Sequence, residues 1–96
     1  KSFRKVVLAE YPRKGIWSVG FLTNEQVELQ CEGLRDEMVA VFLPTTPNPT
    51  SGFILLFPKE DLVELDMSVE DGFKFIISIG VVVPQGPIKE SLINAS

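Results

Sequence analysis

The segment from Pro44 to Gly52 carries the densest set of polar groups that could bind something. It lies between two apolar runs, Met38 to Leu43 and Phe53 to Phe57. Its prolines fix φ at about −65° and favour extended conformations at the preceding residues, so the loop is stiff. Its hydroxyl and amide groups could clamp a ligand or a protein partner. The candidate site therefore comprises Pro44, Thr45, Thr46, Pro47, Asn48, Pro49, Thr50, Ser51 and Gly52.

The same loop also has a geometric interpretation. Its hydroxyl and amide groups could satisfy the loop's own backbone as local turns, and Gly52 could allow a positive φ before the next strand. The sequence leaves both interpretations open.

Other chemistry is sparse. The chain has no histidine and a single cysteine, Cys31, so a Ser or Cys nucleophile lacks its usual base and a zinc site lacks its ligands. No glycine-rich phosphate loop is present. Acidic residues between Glu60 and Asp71 could hold Mg²⁺ or Ca²⁺, but their spacing matches no calcium loop. We therefore expect no enzyme, no cofactor and no metal site.

Charge is unevenly distributed. The net charge is −4, yet residues 1–14 carry +4 and the remainder −8. A basic start could sit against anionic lipid headgroups, whereas an acidic domain argues against a nucleic-acid partner. The apolar content of 45% suggests either a well-filled core or an apolar surface that meets a partner, such as a second copy. The basic residues of the start are Lys1, Arg4, Lys5, Arg13 and Lys14.

Period-two patterns predict several strands. Phe3 to Tyr11 and Ile16 to Thr23 form a predicted hairpin, in which Trp17 shares a face with Val19 and Phe21 and belongs to the core. Gly20 suggests a bulge or a close approach by another backbone. Further predicted strands are an edge strand at Val27 to Cys31, two centrally buried strands at Met38 to Leu43 and Phe53 to Phe57, and a short one at Leu62 to Asp66.

Ser68 and Asp71 have the spacing of a capping box and predict a helix from Val69 to Ile79, with Gly80 as its left-handed cap. Val81 to Val83 could add a last short strand. The fold class is α+β: an antiparallel sheet or small, partly open β-barrel of five to six strands with one C-terminal amphipathic helix packed on it. An oligonucleotide-binding-like barrel is the alternative. Residues 1–84 form one domain, and residues 85–96 an exposed or disordered tail.

Three ordered motifs resemble one family. They are the segments Glu10 to Phe21, Val41 to Phe53 and Glu64 to Asp71, the last followed by Ile76-Ile-Ser78. Together they resemble the continuous-vascular-ring-like membrane proteins, catalogued as domain of unknown function number 502. The resemblance implies two membrane-spanning helices upstream of Lys1 in the parent protein, and it supplies no catalytic residues.

The functional expectation follows from the chemistry of the residues and from the family resemblance together. We expect a non-enzymatic interaction or assembly module of a two-pass membrane protein, acting as a homo-oligomer or with a protein partner. The alternative is a regulatory domain that responds to a small ligand or a divalent ion. Because the start is basic, the positive-inside tendency places this domain in the cytoplasm. No segment of the chain reaches the roughly 20 apolar residues that a spanning helix needs.

Overall fold

A computed structural model describes residues 3–29, 33 and 37–84. The described strands form one open antiparallel sheet in the order β4-β3-β2-β1-β5, with one helix packed against it. The α+β prediction with five strands is confirmed, as an open sheet and not as a closed barrel. The elements are β1 Lys5–Glu10, β2 Trp17–Val27, β3 Met38–Pro44, β4 Gly52–Pro58, a 3-10 turn Lys59–Asp61, β5 Val63–Glu64 and α1 Val69–Ile77.

The β1–β2 hairpin forms where the sequence predicts it. Its turn is closed by the Tyr11 N–H, which donates to the Ile16 carbonyl at 2.9 Å. Gly15 takes φ +90° there, and its N–H donates to the Glu10 carboxylate at 3.0 Å. Trp17, however, is 45% exposed, so its assignment to the core is wrong. It stands at the first position of β2, next to the turn, where little of the sheet surrounds it.

β2 is longer than predicted. It continues past Thr23 to Val27, with irregular register between Leu22 and Asn24 and again before Val27. Val27 thus ends β2 opposite Met38 and does not begin a separate edge strand. The rest of that predicted strand, including Cys31, lies outside the described residues.

The helix covers the β1 and β2 part of one face of the sheet. Phe21 stacks on Phe73 of α1 with ring centroids 4.3 Å apart. Gly72 lets the helix come this close, because a Cβ there would lie 2.9 Å from Phe21 and Val6. The buried residues of this cluster are Val6, Phe21, Val63, Leu65 and Ile76. We refer to this side of the sheet as the helix face.

The opposite face holds a second apolar cluster. At its centre, Gly20 has no room for a Cβ, which would lie 2.6 Å from Leu43 and 2.7 Å from Val41. The close approach predicted at Gly20 is therefore made by two side chains of β3 and by the Phe42 carbonyl. The buried members of the cluster are Val7, Leu22, Val39, Val41 and Leu43.

The ends of α1 match the prediction only in part. Ser68 Oγ accepts from the Asp71 N–H at 3.0 Å, as expected for an N-cap, but between these two residues no return bond forms. At the other end the helix stops at Ile77, and Ile79 takes the left-handed position with φ +58°. Gly80 follows it, is also left-handed at φ +81° as predicted, and donates to the Phe75 carbonyl at 2.8 Å.

The predicted strand at Val81 to Val83 is not formed, and these three residues are exposed. The tail predicted for residues 85–96 lies outside the described residues.

Candidate interaction site at the β4 edge and the adjoining loop

The polar groups of the Pro44 to Gly52 loop bond mostly to one another. Thr45 Oγ1 donates to the Asn48 carbonyl at 2.6 Å and also lies 3.1 Å from the Ser51 carbonyl and 3.2 Å from Ser51 Oγ. The Thr45 N–H donates to the same Ser51 carbonyl at 2.9 Å. Thr45 thus joins the two ends of the loop.

Asn48 organises the tip. Its Oδ1 accepts from Thr50 Oγ1 at 3.0 Å and from the Thr50 N–H at 3.3 Å, as in an Asx turn. These bonds support the geometric interpretation of Thr45, Asn48, Thr50 and Ser51. All four side chains remain exposed, so the proposed binding role stays a prediction.

Gly52 is required for a different reason from the one predicted. Its φ is not positive. A Cβ at this position would overlap the Leu43 carbonyl oxygen, and it would lie 2.8 Å from Pro44 Cα and 2.9 Å from a ring carbon of Phe42. The start of β4 therefore lies directly against β3 because residue 52 has no side chain.

β4 was predicted to be a central strand buried on both faces, and this is wrong. It pairs only with β3 among the described strands and forms one edge of the sheet. Phe53 is 62% exposed and Ile54 67% exposed. On the helix face, Ile54 is left exposed because α1 packs mainly on β1 and β2. β3, in contrast, is central and largely buried, as predicted.

The register of β3 and β4 shows which backbone groups face the open edge. In an antiparallel ladder, residues alternate between bonding the neighbouring strand and pointing away from it. The Ser51 carbonyl accepts from the Thr45 N–H across this ladder, and the next pair along β3 and β4 is Pro44 with Gly52. Counting along β4 from Ser51, the N–H and C=O groups that point away from β3 are those of Gly52, Ile54 and Leu56.

The opposite edge differs in length and in charge. β5 has two residues, and Glu64 forms an ion pair with Lys5 of β1 at 3.0 Å. The hydrogen bond and then the negative charge of Glu64 raise the pKa of Lys5 above its usual 10.5. β4 has seven residues, and no charged residue lies between Glu37 and Lys59. Short, charged edges resist pairing with other chains, whereas long apolar edges invite it.

The acidic residues do not converge. Glu70 and Asp71 lie in the first turn of α1, while Glu64 lies on β5 beside Lys5. Within the described part of the chain, no group of three carboxylate or thiol ligands is placed to hold a metal ion.

An open cleft of about 400 Å³ lies elsewhere on the surface. The sequence did not indicate the polar side chains that line it, which are Glu25, Gln26, Glu28, Glu37 and Lys59.

The basic residues of the start also separate in the fold. Arg4 and Lys5 stand at one end of β1, and Arg13 and Lys14 lie in the turn beyond its other end. Because a strand rises about 3.3 Å per residue, the two pairs are roughly 20 Å or more apart. They do not form a single basic patch. In the described residues, no helix is long and apolar enough to cross a membrane.

Sequence comparison places the chain in a family. The profile of a family described as "Protein of unknown function (DUF502)" matches residues 1–51, which span β1 to β3 and most of the loop. The chain belongs to the DUF502 family. The predicted resemblance is thereby confirmed.

Plant relatives match most of the chain. Protein CONTINUOUS VASCULAR RING 1 of Arabidopsis thaliana is 32% identical over 85 residues, covering 88% of this chain and 31% of the relative. Protein LIKE COV 2 of the same plant is 30% identical over 84 residues, again 88% of this chain and 31% of the relative. The chain thus spans about a third of the length of these plant relatives. No solved structure matches.

Proposed function

We propose that this DUF502 chain is a non-enzymatic assembly module whose interface is the β4 edge together with the Pro44 to Gly52 loop. The observation that carries the proposal is an uncharged, seven-residue edge strand on which Phe53 and Ile54 are mostly exposed. Such an edge offers backbone donors and acceptors and apolar side chains at once.

The loop has a definite place in this proposal. It leads directly into β4, and Thr45 holds its two ends together through the Ser51 carbonyl. A loop closed in this way sets where β4 begins, so it presents the edge in one conformation. A partner then binds a strand that is already ordered, which lowers the entropy lost on association.

We further propose that the whole protein is a two-pass membrane protein and that this module lies in the cytoplasm. The family resemblance supports this, and two-thirds of the relatives' length lies outside the matched region. The basic residues Arg4 and Lys5 accord with a cytoplasmic side under the positive-inside tendency. A reporter fused to Ser96 in the full-length protein should be active on the cytoplasmic side, and activity only on the other side would overturn the assignment.

The assembly proposal is tested by sedimentation velocity across a range of concentrations. We expect a concentration-dependent species larger than the monomer. Phe53→Lys should reduce it, because a charge beside an apolar edge opposes pairing. Val81→Lys is the matched control: it introduces the same charge at an exposed valine away from β4. Urea unfolding of both variants verifies that each is folded.

A strictly monomeric wild-type chain would count against self-assembly. Equal loss of association in the two variants would show a general effect of charge, and equal retention would place the interface away from β4.

A further inference from the structure

We propose that the occupant of the β4 edge is the β4 strand of a second copy, paired antiparallel about a two-fold axis at Ile54. This inference rests on the proposed assembly function and adds to it a partner and a register. It would join two five-stranded sheets into one continuous sheet of two copies.

The backbone groups at the edge select this register. Gly52, Ile54 and Leu56 direct both their N–H and C=O groups away from β3. With Ile54 opposite its own copy, Gly52 lies opposite Leu56 of the second copy, so all three residues exchange bonds across the axis. Shifting the strands by two residues in one direction brings Pro58, which has no N–H, opposite Gly52. A shift of two residues in the opposite direction places Thr50 opposite Leu56 of the second copy. The Thr50 N–H cannot bond there, because it already donates to Asn48.

Both ends of the ladder stop at the same pair. In the Ile54-centred register, the next residue beyond Leu56 that points outward is Pro58, and it faces Thr50 of the second copy. Pro58 cannot donate, and the Thr50 N–H is occupied within the loop. The pairing window in this register therefore runs from Gly52 to Leu56.

Side chains and charge agree with a second copy as occupant. On the helix face, the exposed Ile54 side chains meet across the axis; on the other face, Phe53 lies opposite Leu55. Cross-strand pairs of β-branched and aromatic residues stabilise sheets. The whole segment between Glu37 and Lys59 is uncharged, so two copies meet here without like-charge repulsion, although each chain carries −4 overall.

Charge swapping at Ile54 tests the pairing of this chain with itself. In sedimentation, Ile54→Lys and Ile54→Glu should each weaken association by at least about tenfold, since each places like charges opposite one another. An equimolar mixture should recover most of it. Ile54→Thr, which keeps a β-branched side chain and the backbone N–H, is the control and should associate nearly as the wild type does.

Disulfide trapping tests the register. In a Cys31→Ser background, Ile54→Cys should cross-link to a covalent dimer under mild oxidation, because bonded antiparallel pairs place their Cα atoms about 5.5 Å apart. Leu56→Cys is the matched control on the same strand and face. Its two copies would stand about 14 Å apart along the strand, so it should cross-link poorly.

The outcomes separate the two proposals. If the wild type associates but the charged Ile54 variants associate equally well, or if Leu56→Cys cross-links as fast as Ile54→Cys, the register is refuted and assembly stands. If the wild type is monomeric at every concentration, both self-assembly and this inference are overturned.

Discussion

Replacing Gly52 with alanine should damage the structure far more than its exposed position suggests. The added Cβ would overlap the Leu43 carbonyl and approach Pro44 Cα to 2.8 Å. Carbon atoms normally approach no closer than about 3.5 Å. The two nearest atoms belong to backbone, so β4 must shift away from β3. That shift would lengthen or break the hydrogen bond from the Thr45 N–H to the Ser51 carbonyl.

The size of the effect follows from these terms. Overpacking costs about 1–3 kcal/mol and a lost hydrogen bond about 1 kcal/mol. Reduced entropy of the unfolded chain offsets about 0.5–1 kcal/mol. The net loss is about 1–3.5 kcal/mol, or roughly 4–28 °C in Tm for a domain of this size.

Urea unfolding followed by circular dichroism measures this loss. Ser51→Ala is the control, because it changes the adjacent residue and removes only a hydroxyl contact of 3.2 Å with Thr45. We expect the control to lose less than about 1 kcal/mol. If Gly52→Ala loses no more stability than Ser51→Ala does, the steric argument for the start of β4 is refuted.

Three further predictions use the same unfolding measurement. Asn48→Ala removes both acceptor contacts with Thr50 and should cost about 0.5–1 kcal/mol; unchanged stability with weaker association would instead favour a binding role for the loop. Ile79→Gly should raise the free energy of unfolding by about 0.5–1 kcal/mol, since glycine adopts a left-handed φ without the steric cost. A lower free energy of unfolding would contradict this prediction. The pKa of Lys5 is raised by Glu64, so this pair stabilises the fold below pH 10.5 and ceases to do so as pH rises through the raised pKa. Lys5→Gln should flatten that decline, and an unchanged alkaline profile would show that the pair contributes nothing.

Local sequence signals predicted the elements that depend on local contacts. The Pro12 to Gly15 turn, the Ser68 cap and the apolar strand at Met38 to Leu43 each formed as expected. Their determinants are turn residues, a side-chain cap and an apolar run, all within a few positions of one another. The sequence also predicted that the Pro44 to Gly52 loop is a stiff connection between two strands.

Features set by distant contacts were predicted poorly. Trp17 was assigned to the core because alternation indicates which face a residue shares, but not whether another layer covers that face at the strand's end. The left-handed φ predicted for Gly80 is present, but the preceding Ile79 is left-handed as well, which a rule based on glycine does not predict. The loop's polar residues were identified, yet their mutual bonds depend on a folded loop and could not be inferred from composition.

The error at β4 is the most informative one. A continuous apolar run usually means a strand buried on both faces. Here β5 pairs with β1 at the far side, which no local signal specifies, and β4 is left at the edge. The residue pattern of a central strand at an edge position is what pairing with another chain would require, since a second copy at that edge would make β4 central in the assembled sheet. The β5 edge, short and bearing the Lys5–Glu64 ion pair, has the features that prevent such pairing. The contrast between the two edges therefore supports β4 as the interface: both belong to one sheet, and only β5 is protected.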